Sequence, residues 1–213
     1  MVRIMIKYFV RTTGERSFDY NLNYELLIDK EKKPVESFIR QLKYISQYDS
    51  VLLEDDLILC KDFKDKIEDV IKQYPNDIIN FFYNPNSYFT THHDSNFCWN
   101  QCTYYPKGIA LKLAEAIEPL HKSMPKMQYD MLENNALHRL GISHVQYRPC
   151  LVQHVDNDTL IQDGPSHGAR RTIYFEDYLN ELGIKYEDAY QNENRQKLTK
   201  LMNEKFRNKK GDE

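Results

Sequence analysis

Residues 50–59 read SVLLEDDLIL, and this stretch sets three adjacent carboxylates at the end of an apolar run. The apolar part, Val-Leu-Leu at 51–53, predicts a short buried strand. The acidic part, Glu-Asp-Asp at 54–56, follows where that strand leaves the sheet. Carboxylates so close together repel each other and are costly to desolvate, so a bound cation would stabilise them. Their oxygen atoms suit Mg²⁺ or Mn²⁺, which also bind phosphate; a solvated turn is the alternative.

Strand-like and helix-like segments alternate on both sides of this stretch. Strands are predicted at residues 2–10, 24–28, 77–83, 97–105 and 145–152, and helices from 34, over 61–73, from 106 and over 129–140. Such alternation predicts an α/β sandwich with a mostly parallel central sheet. The later residues, with a polar loop after 157 and a basic amphipathic pattern over 195–210, predict a C-terminal helical extension. We therefore divide the chain into a catalytic domain at 1–170 and an extension at 171–213.

Length, charge and cysteine usage narrow the class of protein. The chain has 213 residues, enough for one domain with an appendage, and its net charge of −3 does not indicate wholesale nucleic-acid binding. No apolar run approaches the roughly 18 residues of a membrane span, and the N-terminus carries no signal-peptide pattern. The four cysteines are too few for a disulfide scaffold. These features predict a cytoplasmic protein without a transmembrane segment.

The order of the segments and three short motifs resemble the nucleotide-sugar glycosyltransferases of the A-type fold. LLEDD at 52–56 and LVQHV at 151–155 are similar to motifs of the branching N-acetylglucosaminyltransferases. QCTYYPKGIALKLAEAI at 101–117 looks like a segment of the lipopolysaccharide-type glycosyltransferases. The resemblance covers about residues 1–170. The chain departs from the family in being short and in lacking a serine-rich continuation after the QHV motif.

The resemblance implies a Rossmann-like sandwich, a divalent metal and a nucleotide-sugar donor such as a UDP-sugar. The metal ligands it implies are Glu54, Asp56 and His154. Strand alternation agrees, since it puts Glu54 and Asp56 on the same side, and the histidine nitrogen favours Mn²⁺ over Mg²⁺. The alternative for His154 is a hydrogen-bonded histidine at a strand end.

Residues for donor binding are expected next to the metal. Asp55 points away from the metal ligands and can bond ribose or sugar hydroxyls. Thr12 and Arg16 belong to a small, polar, basic loop at the carboxyl end of the first strand, a place suited to gripping a ligand. Arg170 and Arg171 can clamp a diphosphate, with a solvated basic pair as the alternative.

An inverting transfer needs a base that takes the proton of the acceptor. Asp130 starts the helix predicted at 129–140, and Glu133 lies one turn later on the same face. We prefer Asp130, whose alternative role is that of a helix cap. A retaining transfer would need no such base.

The alternative function is an Mg²⁺-dependent nucleic-acid-binding or nucleic-acid-processing protein, in which the acidic triplet serves phosphodiester chemistry. The two functions combine in a glycosyltransferase that modifies a base in DNA, as a phage-encoded enzyme would in the host cytoplasm. Segment 195–210 carries seven basic residues and one acidic residue, which predicts contact with an anionic partner, either DNA or a membrane surface bearing a glycan acceptor. The alternative for this segment is a terminal helix whose apolar stripe packs on the domain.

Overall fold

A computed structural model describes residues 5–83, 100–155 and 171–209. The strands in these ranges are β1 (Ile6–Thr12), β2 (Tyr24–Ile28), β3 (Asp49–Glu54), β4 (Leu57–Leu59), β5 (Ile78–Asn80), β6 (Cys102–Tyr105), β7 (His144–Gln146) and β8 (Val152–His154). The helices are α1 (Pro34–Ile45), α2 (Phe63–Gln73), α3 (Ile109–Ser123), α4 (Tyr129–Leu140), α5 (Glu176–Leu182) and α6 (Asn192–Lys209), with a 3₁₀ turn at Tyr186–Asp188. The chain is therefore an α/β protein, as the sequence predicts.

Six strands form the main sheet, in the order β2-β1-β3-β6-β5-β7. β6 runs antiparallel to both its neighbours, and the other pairings are parallel. The predicted mostly parallel sheet is confirmed, and its form is compatible with a Rossmann-like fold. The chain passes from β1 to β2 on one side and then returns to β3 on the other side of β1. The carboxyl ends of β1 and β3 therefore border a crevice of the kind in which open α/β sheets bind ligands.

Both faces of the sheet are covered by helices. The side chain of Leu52 packs with α1, α3 and α4, whereas those of Val51 and Leu53 pack with α2, α5 and α6. Because successive side chains of a strand point to opposite faces, a strand buried on both sides needs a continuous apolar run. The Val-Leu-Leu run at 51–53 meets that need at the centre of the sheet.

Most helices begin and end where their sequence signals predict. α1 starts at Pro34 and buries Phe38, Leu42 and Ile45, and α4 ends at Gly141, which adopts a left-handed conformation with φ 63°. α3 is the exception, since it begins at Ile109 instead of residue 106. The preceding residues form a turn in which the backbone N–H of Gly108 donates to the carbonyl of Ser46 at 2.8 Å, which ties the start of α3 to the end of α1.

The single strand predicted at 145–152 is wrong. This stretch forms two short strands in different sheets: β7 extends the main sheet beside β5, and β8 pairs antiparallel with β4 in a separate two-stranded sheet. Pro149 lies between them, and a proline has no N–H to donate to a continuous ladder. β4 itself, only three residues long, was not predicted.

The C-terminal helix α6 lies against the rest of the protein. Its apolar residues Leu198, Leu201 and Phe206 are buried, and the first two belong to the same core cluster as β1 and β3. Lys205 forms an ion pair with Glu181 of α5 at 2.8 Å. The stripe therefore packs on the domain and does not form an exposed membrane-facing surface. Among the residues with described positions, no helix is both long and apolar enough to cross a bilayer.

We predict that Leu198→Ala lowers the free energy of unfolding by about 2–5 kcal/mol, since the side chain is 0% exposed and its loss leaves a cavity. Chemical denaturation measures the change. The exposed neighbour is the control: Thr199→Ala should change the free energy by no more than about 0.5 kcal/mol. Equal small effects of both substitutions would contradict the packing of α6 on the core.

Candidate functional site

The carboxylate turn, residues 54–56, is held in shape by the phenol of Tyr20. The Tyr20 hydroxyl donates to the carbonyl of Glu54 at 2.6 Å and accepts from the backbone N–H of Leu57 at 2.9 Å. It therefore bridges the end of β3 and the start of β4. Burial is the main cause that raises the pKa of this phenol, and the nearby carboxylates add to the effect. The hydroxyl therefore stays neutral and able to donate. The sequence offered no signal for this role.

The pairing of β4 with β8 brings His154 to the carboxylate turn. Leu57 lies opposite His154 in this antiparallel register, and the backbone N–H of Val155 donates to the carbonyl of Asp56 at 2.8 Å. As a result, Nε2 of His154 lies 3.3 Å from Oδ2 of Asp56. Two residues far apart in the chain thus meet through backbone pairing.

The side chains of Glu54, Asp56 and His154 form a candidate metal site. Each offers one ligand atom, and these atoms lie within 4.8 Å of one another, the only such group of three or more acidic, histidine or cysteine residues in the described part of the chain. His154 is 3% exposed, and neither ring nitrogen has a hydrogen-bond partner among the described residues. A buried imidazole without a partner is costly, and a metal would satisfy it. The donor set fits Mn²⁺ or Mg²⁺, and the nitrogen favours Mn²⁺.

Asp55 contacts Thr12, which is the last residue of β1 and not part of the predicted loop, and Arg16 in the loop that follows. Its Oδ2 accepts a hydrogen bond from the hydroxyl of Thr12, which itself accepts from the backbone N–H of Gly14 at 2.8 Å. Its Oδ1 accepts from Nη1 of Arg16 at 3.0 Å, and the same nitrogen lies 2.6 Å from Oδ2 of Asp56. The structure thus brings Thr12 and Arg16 together with the acidic residues, at the crevice between β1 and β3.

Arg11 and Tyr129 connect Glu54 to α4, and neither residue was predicted to belong to the site. Arg11 donates through Nη2 to Oε1 of Glu54 and to the carbonyl of Asn100, the latter at 2.9 Å. The hydroxyl of Tyr129 donates to the same Oε1 at 2.8 Å, and the Arg11 guanidinium stacks on the Tyr129 ring, 4.3 Å from its centre. The parallel register places Arg11 beside Glu54, a pairing that spacing along the chain does not reveal.

The two candidate bases have different surroundings. Asp130 lies half-buried in the first turn of α4, and its Oδ1 accepts from the backbone N–H of Met131 at 2.8 Å. The cap position belongs to Gln128, so Asp130 is not the helix cap. Glu133 is fully buried and accepts hydrogen bonds from the Tyr105 hydroxyl at 2.8 Å and from the Asn100 amide at 2.6 Å.

Burial raises the pKa of Glu133 to about 8, against the opposing effects of the Tyr105 and Asn100 hydrogen bonds and of the Arg11 charge. The carboxyl is fully buried, and its hydrogen bonds with Tyr105 of β6 and with Asn100 join α4 to the sheet. Its side chain is 0% exposed and therefore has no contact with solvent.

Of the predicted diphosphate clamp, Arg171 is described and Arg170 lies outside the described residues. The Arg171 guanidinium lies 3.8 Å from the centre of the Phe206 ring, against α6. On α6 itself, Lys197 pairs with Glu193 at 2.7 Å and Lys200 with Glu204 at 3.9 Å. These ion pairs offset part of the basic charge from which an anionic partner was predicted. Because the pairs are exposed, each contributes only a small interaction energy.

No family model matches this chain, and no match is found among curated proteins. The residues and their geometry are therefore the basis on which a function can be inferred.

We predict that Glu133 makes folding stability depend on pH. Its ordinary pKa is 4.5 and its pKa in the folded protein is about 8, so the folded state holds the proton more tightly. Its contribution to stability is full below the lower value and is lost as the pH rises towards the higher one. Glu133→Gln cannot titrate. Its free energy of unfolding, relative to wild type, should therefore rise by on the order of 1 kcal/mol per pH unit between about pH 5 and 8.

Denaturation of both proteins at several pH values measures this difference. A difference that stays constant across the range would show that Glu133 keeps an ordinary pKa, and it would refute the prediction.

Proposed function

We propose that this protein is a metal-dependent glycosyltransferase that moves a sugar from a nucleotide-sugar donor to an acceptor hydroxyl. One observation carries the proposal: Glu54, Asp56 and the buried His154, whose ring nitrogens make no hydrogen bond to the described residues, converge at the carboxyl end of the central strand β3. That edge also holds Thr12 and Arg16, which can bind a nucleotide. The resemblance of the LLEDD and LVQHV motifs to such enzymes supports the same function.

The chemistry of sugar transfer explains why these residues are needed. The bond to a nucleoside diphosphate breaks, and negative charge develops on the leaving phosphate. Glu54, Asp56 and His154 would hold Mn²⁺ or Mg²⁺, and the bound ion would stabilise that charge. The hydrogen bonds of Thr12 and Arg16 hold Asp55 in the crevice, where its carboxylate can bind ribose or sugar hydroxyls.

Asp130 is our candidate for the base of an inverting transfer. The hydroxyl of its neighbour Tyr129 bonds to Glu54, so the first turn of α4 is fixed relative to the candidate metal site. Asp130 is half-buried and can contact an acceptor, whereas Glu133 is enclosed. We therefore assign proton removal to Asp130 and the anchoring of α4 to Glu133.

The alternative, an Mg²⁺-dependent nucleic-acid-processing protein, has less support. Two-metal phosphodiester chemistry uses a pair of ions about 4 Å apart, which needs several converging carboxylates. The described residues provide a single candidate group with two carboxylates and one histidine. Nucleic acid remains in the proposal as an acceptor: the transferred sugar goes to a base in DNA or to a glycan.

Asp56→Asn tests the metal site with little change in shape. We expect Mn²⁺-dependent binding of UDP, measured by calorimetry, to fall by about 100-fold or more, because a charged ligand is lost. His154→Ala should also weaken Mn²⁺ binding, by about 10-fold, since a neutral ligand is lost. The control is Asp69→Asn, which changes an exposed carboxylate on α2. Unchanged Mn²⁺-dependent affinity in Asp56→Asn would rule out the assignment.

Asp130→Asn keeps the shape of the side chain and removes its basic site. We expect turnover with a nucleotide sugar and acceptor to fall by roughly 100-fold or more while calorimetry shows intact donor binding. Duplex DNA and oligosaccharides serve as the acceptors in parallel assays. Near-normal turnover would indicate a retaining transfer or another base.

A further inference from the structure

We propose that Arg16 couples metal binding to nucleotide binding, by leaving Asp56 for the diphosphate when the donor enters. This inference rests on the proposed function and assigns Arg16 a specific part in it. The guanidinium would act as a movable counter-charge, shared in turn by the carboxylates of the protein and the phosphates of the ligand.

The carboxylate oxygen at the centre of this proposal has two neighbours. Nη1 of Arg16 lies 2.6 Å from Oδ2 of Asp56, and Nε2 of His154 lies 3.3 Å from the same oxygen. Arg16 also bonds Asp55 at 3.0 Å. A cation bound by Asp56 and His154 must therefore share its carboxylate ligand with a guanidinium.

Electrostatics makes this sharing unfavourable. A guanidinium stays charged at all ordinary pH values, so it cannot relieve the repulsion by losing a proton. The Arg16 and Asp56 side chains are only 17% and 7% exposed, and water and salt screen such a pair less than an exposed one. Arg16 should therefore weaken the binding of a divalent metal on its own.

A diphosphate removes the conflict. Its oxygens can accept two parallel hydrogen bonds from a planar guanidinium, and this bidentate geometry makes arginine well suited to phosphate recognition. Arg16 lies in the loop between β1 and β2, at the crevice where the donor phosphates would meet the metal. When Arg16 moves to the phosphates, Asp56 is released to the metal. Each ligand then strengthens the binding of the other, and by linkage the effect is equal in both directions.

Calorimetry on the full chain tests this coupling. Mn²⁺ is titrated alone and in the presence of saturating UDP, and the ratio of the two affinities is the coupling factor. In Arg16→Gln, we expect Mn²⁺ alone to bind several-fold more tightly than in wild type. We expect the coupling factor to fall by about 5-fold or more, with the remainder due to direct contact between metal and phosphate.

Two further variants separate charge from position. Arg16→Lys keeps the positive charge but loses the bidentate geometry of the guanidinium. Its affinity for Mn²⁺ alone should stay near that of wild type, and its coupling factor should lie between those of wild type and Arg16→Gln. Lys43→Gln removes one positive charge from an exposed pair with Glu118 on the helices and should match wild type in both measurements.

The outcomes distinguish the inference from the proposed function. If wild type shows Mn²⁺-dependent UDP binding but Arg16→Gln keeps the full coupling, or binds Mn²⁺ alone no more tightly, the inference is overturned and the function stands. If wild type binds Mn²⁺ without any effect on UDP, the proposed function fails and the role of Arg16 fails with it.

Discussion

The antiparallel pairing of β4 with β8 is the interaction on which the candidate site depends. It sets Leu57 opposite His154 and joins the backbone of Val155 to that of Asp56. These contacts fold the residues after β3 back across the carboxyl edge of the sheet. This small second sheet brings His154 beside Asp56. With it, two carboxylates and an imidazole face one point.

Crowding of negative charge is the second constraint, and the protein meets it with neighbouring cations and hydroxyls. Arg11 neutralises Glu54, Arg16 lies across Asp55 and Asp56, and the Tyr20 phenol fixes the backbone between them. These ion pairs are mostly buried, and removal of one partner from such a pair costs about 3–5 kcal/mol because the other charge remains. The arginines that stabilise the acidic turn therefore also limit the approach of other cations to its carboxylates.

Many of the helices and strands, and the candidate metal ligands, can be predicted from local sequence patterns. The spacing of Phe38, Leu42 and Ile45 predicts α1 and its buried face. Glu54, Asp56 and His154 are recognisable as candidate metal ligands before any contact is known. The roles of Tyr20, Arg11 and Tyr129 are not recognisable in this way. Each contacts the turn from a different element, and tyrosines are too common in this chain for any one to stand out. The split of 145–152 into two strands was missed for a related reason, since each half is completed by a partner distant in sequence.

Local sequence patterns are enough to predict most of the helices and strands and the side chains that have the chemistry of metal ligands, because periodicity, capping residues and ligand chemistry act over a few neighbouring residues. Where these side chains meet depends on the order and pairing of the strands. Strand order set β1 beside β3, and the β4–β8 pairing set His154 beside Asp56. Burial distinguishes Asp130, which is half-buried, from Glu133, which is fully buried on the same helix. Such outcomes depend on contacts between segments that are distant in sequence, and these contacts form only when the protein is folded.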